Sequence, residues 1–176
     1  VTRSRQILAL VAVAVIAVSA GVGLHLWQLD GQAAAAQSVM ALRLPDLRGE
    51  SQAVAQWRGK VLVVNFWATW CAPCREEIPA FVKLQSKYAA RGVQFVGIAI
   101  DQPDRVAAFA REFGMNYAIL LGGINTVDVT RTAGNTVGAL PFTLVLDRDG
   151  DVASRQLGKI HEAELDGLLE RLLNRS

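Results

Sequence analysis

The sequence predicts a three-layer α/β sandwich with a mixed central sheet, preceded by a transmembrane helix at the N-terminal end. Three observations carry this. Residues 61–79, VLVVNFWATWCAPCREEIP, join a short β-branched apolar run to an aromatic turn, a C-x-x-C pair and a helix-forming stretch. Strand-like and helical segments then alternate and end in a hairpin and a helix, the order that builds a sheet covered on both faces. Ahead of all this, Ile7 to Leu29 is a run of 23 residues without a charge.

The N-terminal run comes first. As a helix it would rise roughly 35 Å, against a hydrocarbon core of about 30 Å. Arg3 and Arg5 precede it and Asp30 is the first charge after it, so the positive-inside bias leaves everything beyond residue 30 on the outer side. Trp27 suits an interfacial belt, and His25 and Gln28 fall in turns where a polar tip reaches the interface. A cleaved signal peptide is the competing expectation, with Val18-Ser19-Ala20 and Ala34-Ala35-Ala36 as imperfect cleavage sites. Residues 1–30 are therefore expected to be a single-pass anchor in the inner (cytoplasmic) membrane. Residues 31–40 form an Ala/Gln linker, and 41–176 a domain facing the periplasm or cell exterior.

Within the domain, Leu42 to Gly49 alternates apolar residues before a turn, and Pro45 confines it to an edge or hairpin. Val61 to Phe66 is a buried strand. The helix after the cysteines runs to about Ala90 with Ile78, Phe81, Val82 and Leu84 on its apolar face, is expected to bend at Pro79, and stops at Gly92. Val93 to Ile100 is the second buried strand. Asp101-Gln102-Pro103-Asp104 opens another helix, Tyr117 to Leu121 is a short strand, and Asn125 to Ala133 a short helix. Phe142 to Leu146 and Val152 to Leu157 pair across Asp147-Arg148-Asp149-Gly150. An amphipathic helix spans about His161 to Leu173.

Composition narrows the function classes. The 176 residues suffice for one domain with a core plus an anchor. A formal net charge of +2 with no basic block implies no nucleic-acid partner. Both cysteines sit in the C-x-x-C pair, an economy that suits an oxidising compartment.

The chemistry is concentrated at that pair. Cys71 falls at a helix start, where unsatisfied N–H groups and the dipole's positive end favour a thiolate. Cys74, one turn in, is placed to form a disulfide with it and to cycle between dithiol and disulfide. A purely structural bridge would close almost no loop and so add little stability. Structural zinc normally needs four ligands, and beyond the two cysteines the chain offers only His25 and His161. His161 is most simply a helix-start residue. Cys71 is thus expected to attack, as the more exposed sulfur, and the covered Cys74 to resolve the mixed disulfide. Glu77, three residues beyond Cys74, shares its helical flank and could carry the proton Cys74 loses or gains; otherwise Glu76 and Glu77 are first-turn acids favoured by the dipole. Trp70 is expected at the surface for substrate contact and Trp67 in the core.

The run NFWATWCAPC with Pro79 resembles the thioredoxin superfamily. With LRLPDLRG, the leading apolar segment and Ala-Leu-Pro-Phe-Thr at 139–143, it is similar to the membrane-anchored TlpA/ResA-type thiol-disulfide oxidoreductases over about residues 42–172. The resemblance implies a thioredoxin-like fold with an insertion around 101–135. It implies a cis Pro141 which, with Leu140, forms a ledge for an extended substrate beside Trp70, Ala72 and Pro73, and a proton-carrying Glu77. It further implies a reductant that needs no cofactor beyond the Cys71–Cys74 pair. Its substrates would be apocytochrome c or copper-site assembly proteins, and its electron donor a DsbD/CcdA-type transporter. One position departs from thioredoxin: six residues before the first cysteine stands Asn65 in place of a buried Asp, and an amide cannot take up a proton. A copper carrier using the same two thiolates, a general disulfide oxidant and a peroxidase are the competing functions.

Overall fold

The computed structural model describes residues 2–174; within the first helix, the side chains of 2–9, 12 and 26–30 lie outside the description. That helix, α1 (Thr2–Met40), is followed by a two-stranded antiparallel hairpin, β1 (Arg43–Pro45) and β2 (Ser51–Ala53). Pro45 sits at the hairpin's rim, where its missing N–H breaks no interior ladder.

The main sheet has five strands: β3 (Val61–Trp67), β4 (Val93–Ala99), β5 (Ala118–Leu121), β6 (Phe142–Leu146) and β7 (Val152–Leu157), in the order β5-β4-β3-β6-β7. β3, β4 and β5 run parallel, joined through α2 (Ala72–Tyr88) and α3 (Pro103–Glu112). β6 and β7 run antiparallel on the other side of β3. α4 (Thr126–Thr132) and α5 (Glu162–Leu173) complete the domain. This is the mixed-sheet α/β sandwich the sequence predicts.

Alternation along the strands assigns the two faces. Leu62, Val64 and Phe66 share one face with Val96, Ile98, Leu144 and Phe142, under α4 and the end of α1. Val63, Asn65 and Trp67 share the other with Phe95, Gly97 and Ala99, under α2, α3 and α5. Every residue of β3 is buried, as befits a central strand covered on both sides. Gly92, in the left-handed region at φ 92°, ends the turn after α2. The hairpin docks on the edge of β5 through an isolated bridge between Asp46 and Leu120.

Residues 31–40 depart from the linker the sequence suggests. They continue α1, and Ala35, Ala36, Val39 and Met40 are buried in the core against α4 and β7. Alanine is a strong helix former, and each third or fourth residue here is apolar, so the segment has both the propensity and a face to bury. Leu10, Val11, Val13, Val15, Ile16, Val18, Val22 and Leu24 by contrast stand exposed along the same helix. Among the described residues, no helix is long and apolar enough to cross a membrane. The ends of the predicted span, Ile7–Ala9 and Leu26–Leu29, have side chains outside the described residues.

Candidate active site

The site forms where β3 ends. Trp67 closes the strand and Ala68 to Trp70 make the turn. Cys71 caps α2 with extended backbone, and Ala72 and Pro73 form the exposed first positions of that helix. Proline fits there because the first helical N–H groups have no intrahelical partner anyway. The turn is held from the neighbouring strand. The Asp101 carboxylate, just past β4, accepts from the Thr69 backbone N–H at 3.2 Å and from the Thr69 hydroxyl. These bonds hold the Asp101 carboxyl below the usual carboxylate range despite partial burial.

Cys71 and Cys74 are joined in a disulfide with Cα atoms 5.3 Å apart. Cys71 is less open than the sequence suggests, only 5% exposed, against none for Cys74. In the closed disulfide it packs with Trp67, Ala68 and Ile78, which accounts for the cover. Trp70 stands 66% exposed and Trp67 is fully buried. Beside the pair, the Arg75 guanidinium lies 4.9 Å and 5.1 Å from the ring centres of Phe109 and Phe113, which stack on each other.

The Leu140–Pro141 peptide is cis and leads into β6 beside the end of β3. Leu140 packs against the cluster that contains both cysteines. The structure therefore gathers Trp70, Cys71, Ala72, Pro73, Cys74, Leu140 and Pro141 at one end of the sheet. His161 is the N-cap of α5, where the sequence expects it.

Glu77, three residues beyond Cys74 on α2, is only 1% exposed. Asn65 Nδ2 donates to its Oε1 at 2.8 Å, and the Ile160 backbone N–H donates to its Oε2 at 3.1 Å. Burial pushes the carboxyl up to about 7, opposed by these two bonds and by the charge of Lys159. A carboxyl poised near neutrality can give and take a proton. Glu76, its neighbour, faces solvent and pairs with Lys159 at 2.7 Å, so the two acids differ by environment alone. The amide at position 65 thus fills a place the sequence leaves open: it takes no proton but orients the group that can.

Asn65 also donates to Thr143 Oγ1 at 3.0 Å, tying β3 to β6 beneath the site. Thr143, Ile160 and Asp101 are missed by sequence reasoning. A lone polar residue inside the VLVVNFW strand is the signal that could have found Thr143, since a buried amide needs partners on neighbouring elements.

Residues 32–169 match the family model described as Redoxin. The chain belongs to the Redoxin family. It is 33% identical over 130 residues to the thiol-disulfide oxidoreductase ResA of Geobacillus kaustophilus strain HTA426, covering 73% of this chain and 72% of that one. It is 35% identical over 133 residues to the thioredoxin-like protein YneN of Bacillus subtilis strain 168, covering 72% of this chain and 74% of that protein. Among solved structures, a thiol:disulfide interchange protein of the thioredoxin family from Chlorobium tepidum TLS superposes with a TM-score of 0.69 at 30% identity, covering 75% of this chain and 92% of that chain. This Redoxin domain is a thiol-disulfide oxidoreductase of thioredoxin-like fold, and its paired cysteines sit where that chemistry needs them.

Proposed function

We propose that this protein is an extracytoplasmic protein-disulfide reductase held at the membrane by its N-terminal apolar helix. The observation that carries the reading is the Cys71–Cys74 disulfide at the start of α2 with a buried carboxyl, Glu77, three residues further on. In the reduced enzyme the Cys71 thiolate attacks one sulfur of a substrate disulfide. A Cys71–substrate bond forms and the other substrate sulfur leaves as a thiolate that takes a proton. Cys74 then gives its proton to Glu77 and attacks Cys71. The second substrate sulfur leaves as a thiolate and takes a proton, the Cys71–Cys74 bond forms, and two electrons have passed from enzyme to substrate.

Trp70, Ala72, Pro73, Leu140 and Pro141 form the surface on which an extended substrate lies. Apocytochrome c cysteines or the thiols of a copper-site assembly protein are the proposed substrates. The resulting Cys71–Cys74 disulfide needs a dithiol donor to return it, for which a DsbD/CcdA-type transporter is the proposed partner. The uncharged run Ile7–Leu29 and the exposed aliphatic residues from Leu10 to Leu24 support the anchor.

The test is covalent capture. Cys74→Ala should accumulate a mixed disulfide with substrate that dissolves on adding dithiothreitol, and Cys71→Ala should not. Capture by Cys71→Ala alone would reverse the assignment, and a reduction potential near about −120 mV would make the protein an oxidant.

A further inference from the structure

The stretch between α4 and β6 is closed by one buried side chain. α4 ends in a glycine turn. Gly134 stands at φ 112°, its N–H donates to the Arg131 carbonyl at 3.0 Å, and the Asn135 N–H reaches back to the Thr130 carbonyl at 2.8 Å. Asn135, the residue this turn delivers, is only 1% exposed. Residues 136–139 then form an arch on which Thr136, Val137 and Ala139 are exposed, and beyond it come Leu140 and Pro141.

The Asn135 amide spans this arch. Its Nδ2 donates to the Ala139 carbonyl at 2.8 Å and its Oδ1 accepts from the Ala139 N–H at 3.1 Å, so one side chain holds both backbone polar groups of that residue. Nδ2 also donates to Thr130 Oγ1 at 3.2 Å, and the Gly138 N–H closes onto the Asn135 carbonyl at 3.0 Å. A carboxylate in this place could accept but not donate. The arch also lies close on α4: a side chain at Gly138, itself at φ 66°, would begin 3.0 Å from Val127 Cγ1.

Both ends of the brace are fixed. α4 is seated on the core through Val129 and Ala133, in the cluster that holds Ala35, Ala36, Val39 and Met40. On the far side, the Gly158 N–H after β7 donates to the Pro141 carbonyl at 2.8 Å, and Leu140 packs against the cluster that contains both cysteines. Leu140 and Pro141 are thus held between Ala139, gripped by Asn135, and the end of β7.

We propose that Asn135 is a positioning residue for substrate: its paired bonds to Ala139 set the height at which Leu140 and Pro141 are presented beside the disulfide. The inference rests on the reading of Leu140 and Pro141 as the surface for an extended substrate, and adds what keeps that surface in register with the sulfurs. Asn135 acts through Ala139 and Leu140, so its effect falls on substrates long enough to lie along them.

The test compares reduction of a disulfide-bonded peptide with reduction of hydroxyethyl disulfide, which is too small to lie along the ledge. Asn135→Ala should raise the peptide KM about fivefold with kcat within about twofold, and leave the hydroxyethyl disulfide rate within about twofold. Leu140→Ala should raise the peptide KM as well. Tyr88→Phe, which removes bonds to Asp166 and Glu170 at the opposite end of α2, should lower the melting temperature and leave the peptide KM alone. A KM unmoved in Asn135→Ala but raised in Leu140→Ala overturns the positioning role and leaves the ledge standing. A KM unmoved in both variants overturns the ledge and, with it, this inference. A loss shared equally by peptide and small disulfide makes Asn135 a support of the fold alone and likewise overturns the proposal. Should Asn135→Ala fail to fold, Asn135→Asp keeps the acceptor for the Ala139 N–H, gives up both donated bonds, and is judged by the same KM. In the unaltered protein the Ala139 N–H, although on an exposed residue, should exchange at least about tenfold more slowly than a free amide. Exchange at the free rate overturns the clamp.

Discussion

Asn65 hands Glu77 a hydrogen bond of 2.8 Å from the middle of a fully buried strand, yet burial still pushes the carboxyl up to about 7. Desolvation outweighs the amide, the Ile160 N–H and the Lys159 charge together. The folded protein therefore holds the Glu77 proton more tightly than the unfolded chain, whose ordinary value is 4.5.

That difference has a sign. Between about pH 4.5 and 7 the native state binds more protons than the unfolded state, so stability falls as pH rises and the contribution is gone above the folded value. A shift of this size corresponds to about 3 kcal/mol. Urea denaturation from pH 5 to 8 should show stability declining by this order, and Glu77→Gln should flatten the slope. Asp101, whose carboxyl is held low, acts in the opposite sense and only below about pH 4, outside that window. A flat wild-type profile would mean that Glu77 is not protonated in the fold.

Asn65→Ala removes a donor from Glu77 and from Thr143 at once. The Glu77 midpoint should rise further, and stability should fall by about 2 kcal/mol because two buried acceptors lose their partner. NMR titration and chemical denaturation of the same sample separate the two effects.

Asp101→Ala releases the turn that carries Trp70 and Cys71. The loss of the Thr69 bonds should cost about 1–2 kcal/mol. Disulfide reduction by a small thiol should quicken as the turn loosens, measured by stopped-flow tryptophan fluorescence.

Trp70→Ala should leave the melting temperature within error, since the exposed ring supports nothing beneath it. Turnover of a disulfide-bonded peptide should fall several-fold, with the loss in KM.

Much of the domain was legible in advance because its signals are local. The β-branched run at 61–66, the Asp-Pro helix start at 101–104 and the Asp147–Gly150 turn each specify one element, and the strands and helices appear within a residue or two of where those signals place them. The segment 31–40 was not, because Ala-rich sequence reads alike as spacer or helix until a second surface is there to cover it. Only the α4 and β7 face, assembled from residues far along the chain, decides the matter. The same holds within the site. The cysteines and Glu77 share one helix and could be related by spacing, whereas Thr69–Asp101, Asn65–Thr143 and Ile160–Glu77 are partnerships between distant segments.

A truncation series measures what that covered segment is worth. A chain beginning at residue 31 should keep the stability of the full domain. One beginning at residue 41 should lose about 3–5 kcal/mol, the burial of Val39, Met40 and the two alanines.

α1 passes without interruption from its exposed aliphatic stretch into the body of the domain, so the backbone that joins the two is helical throughout. With that stretch anchored in a bilayer, the catalytic head would be welded to its post, roughly 15 Å above the point where the helix emerges. Its thiols would look out in one fixed direction. In that arrangement a donor and a substrate would each have to reach the disulfide from the same side and at the same height.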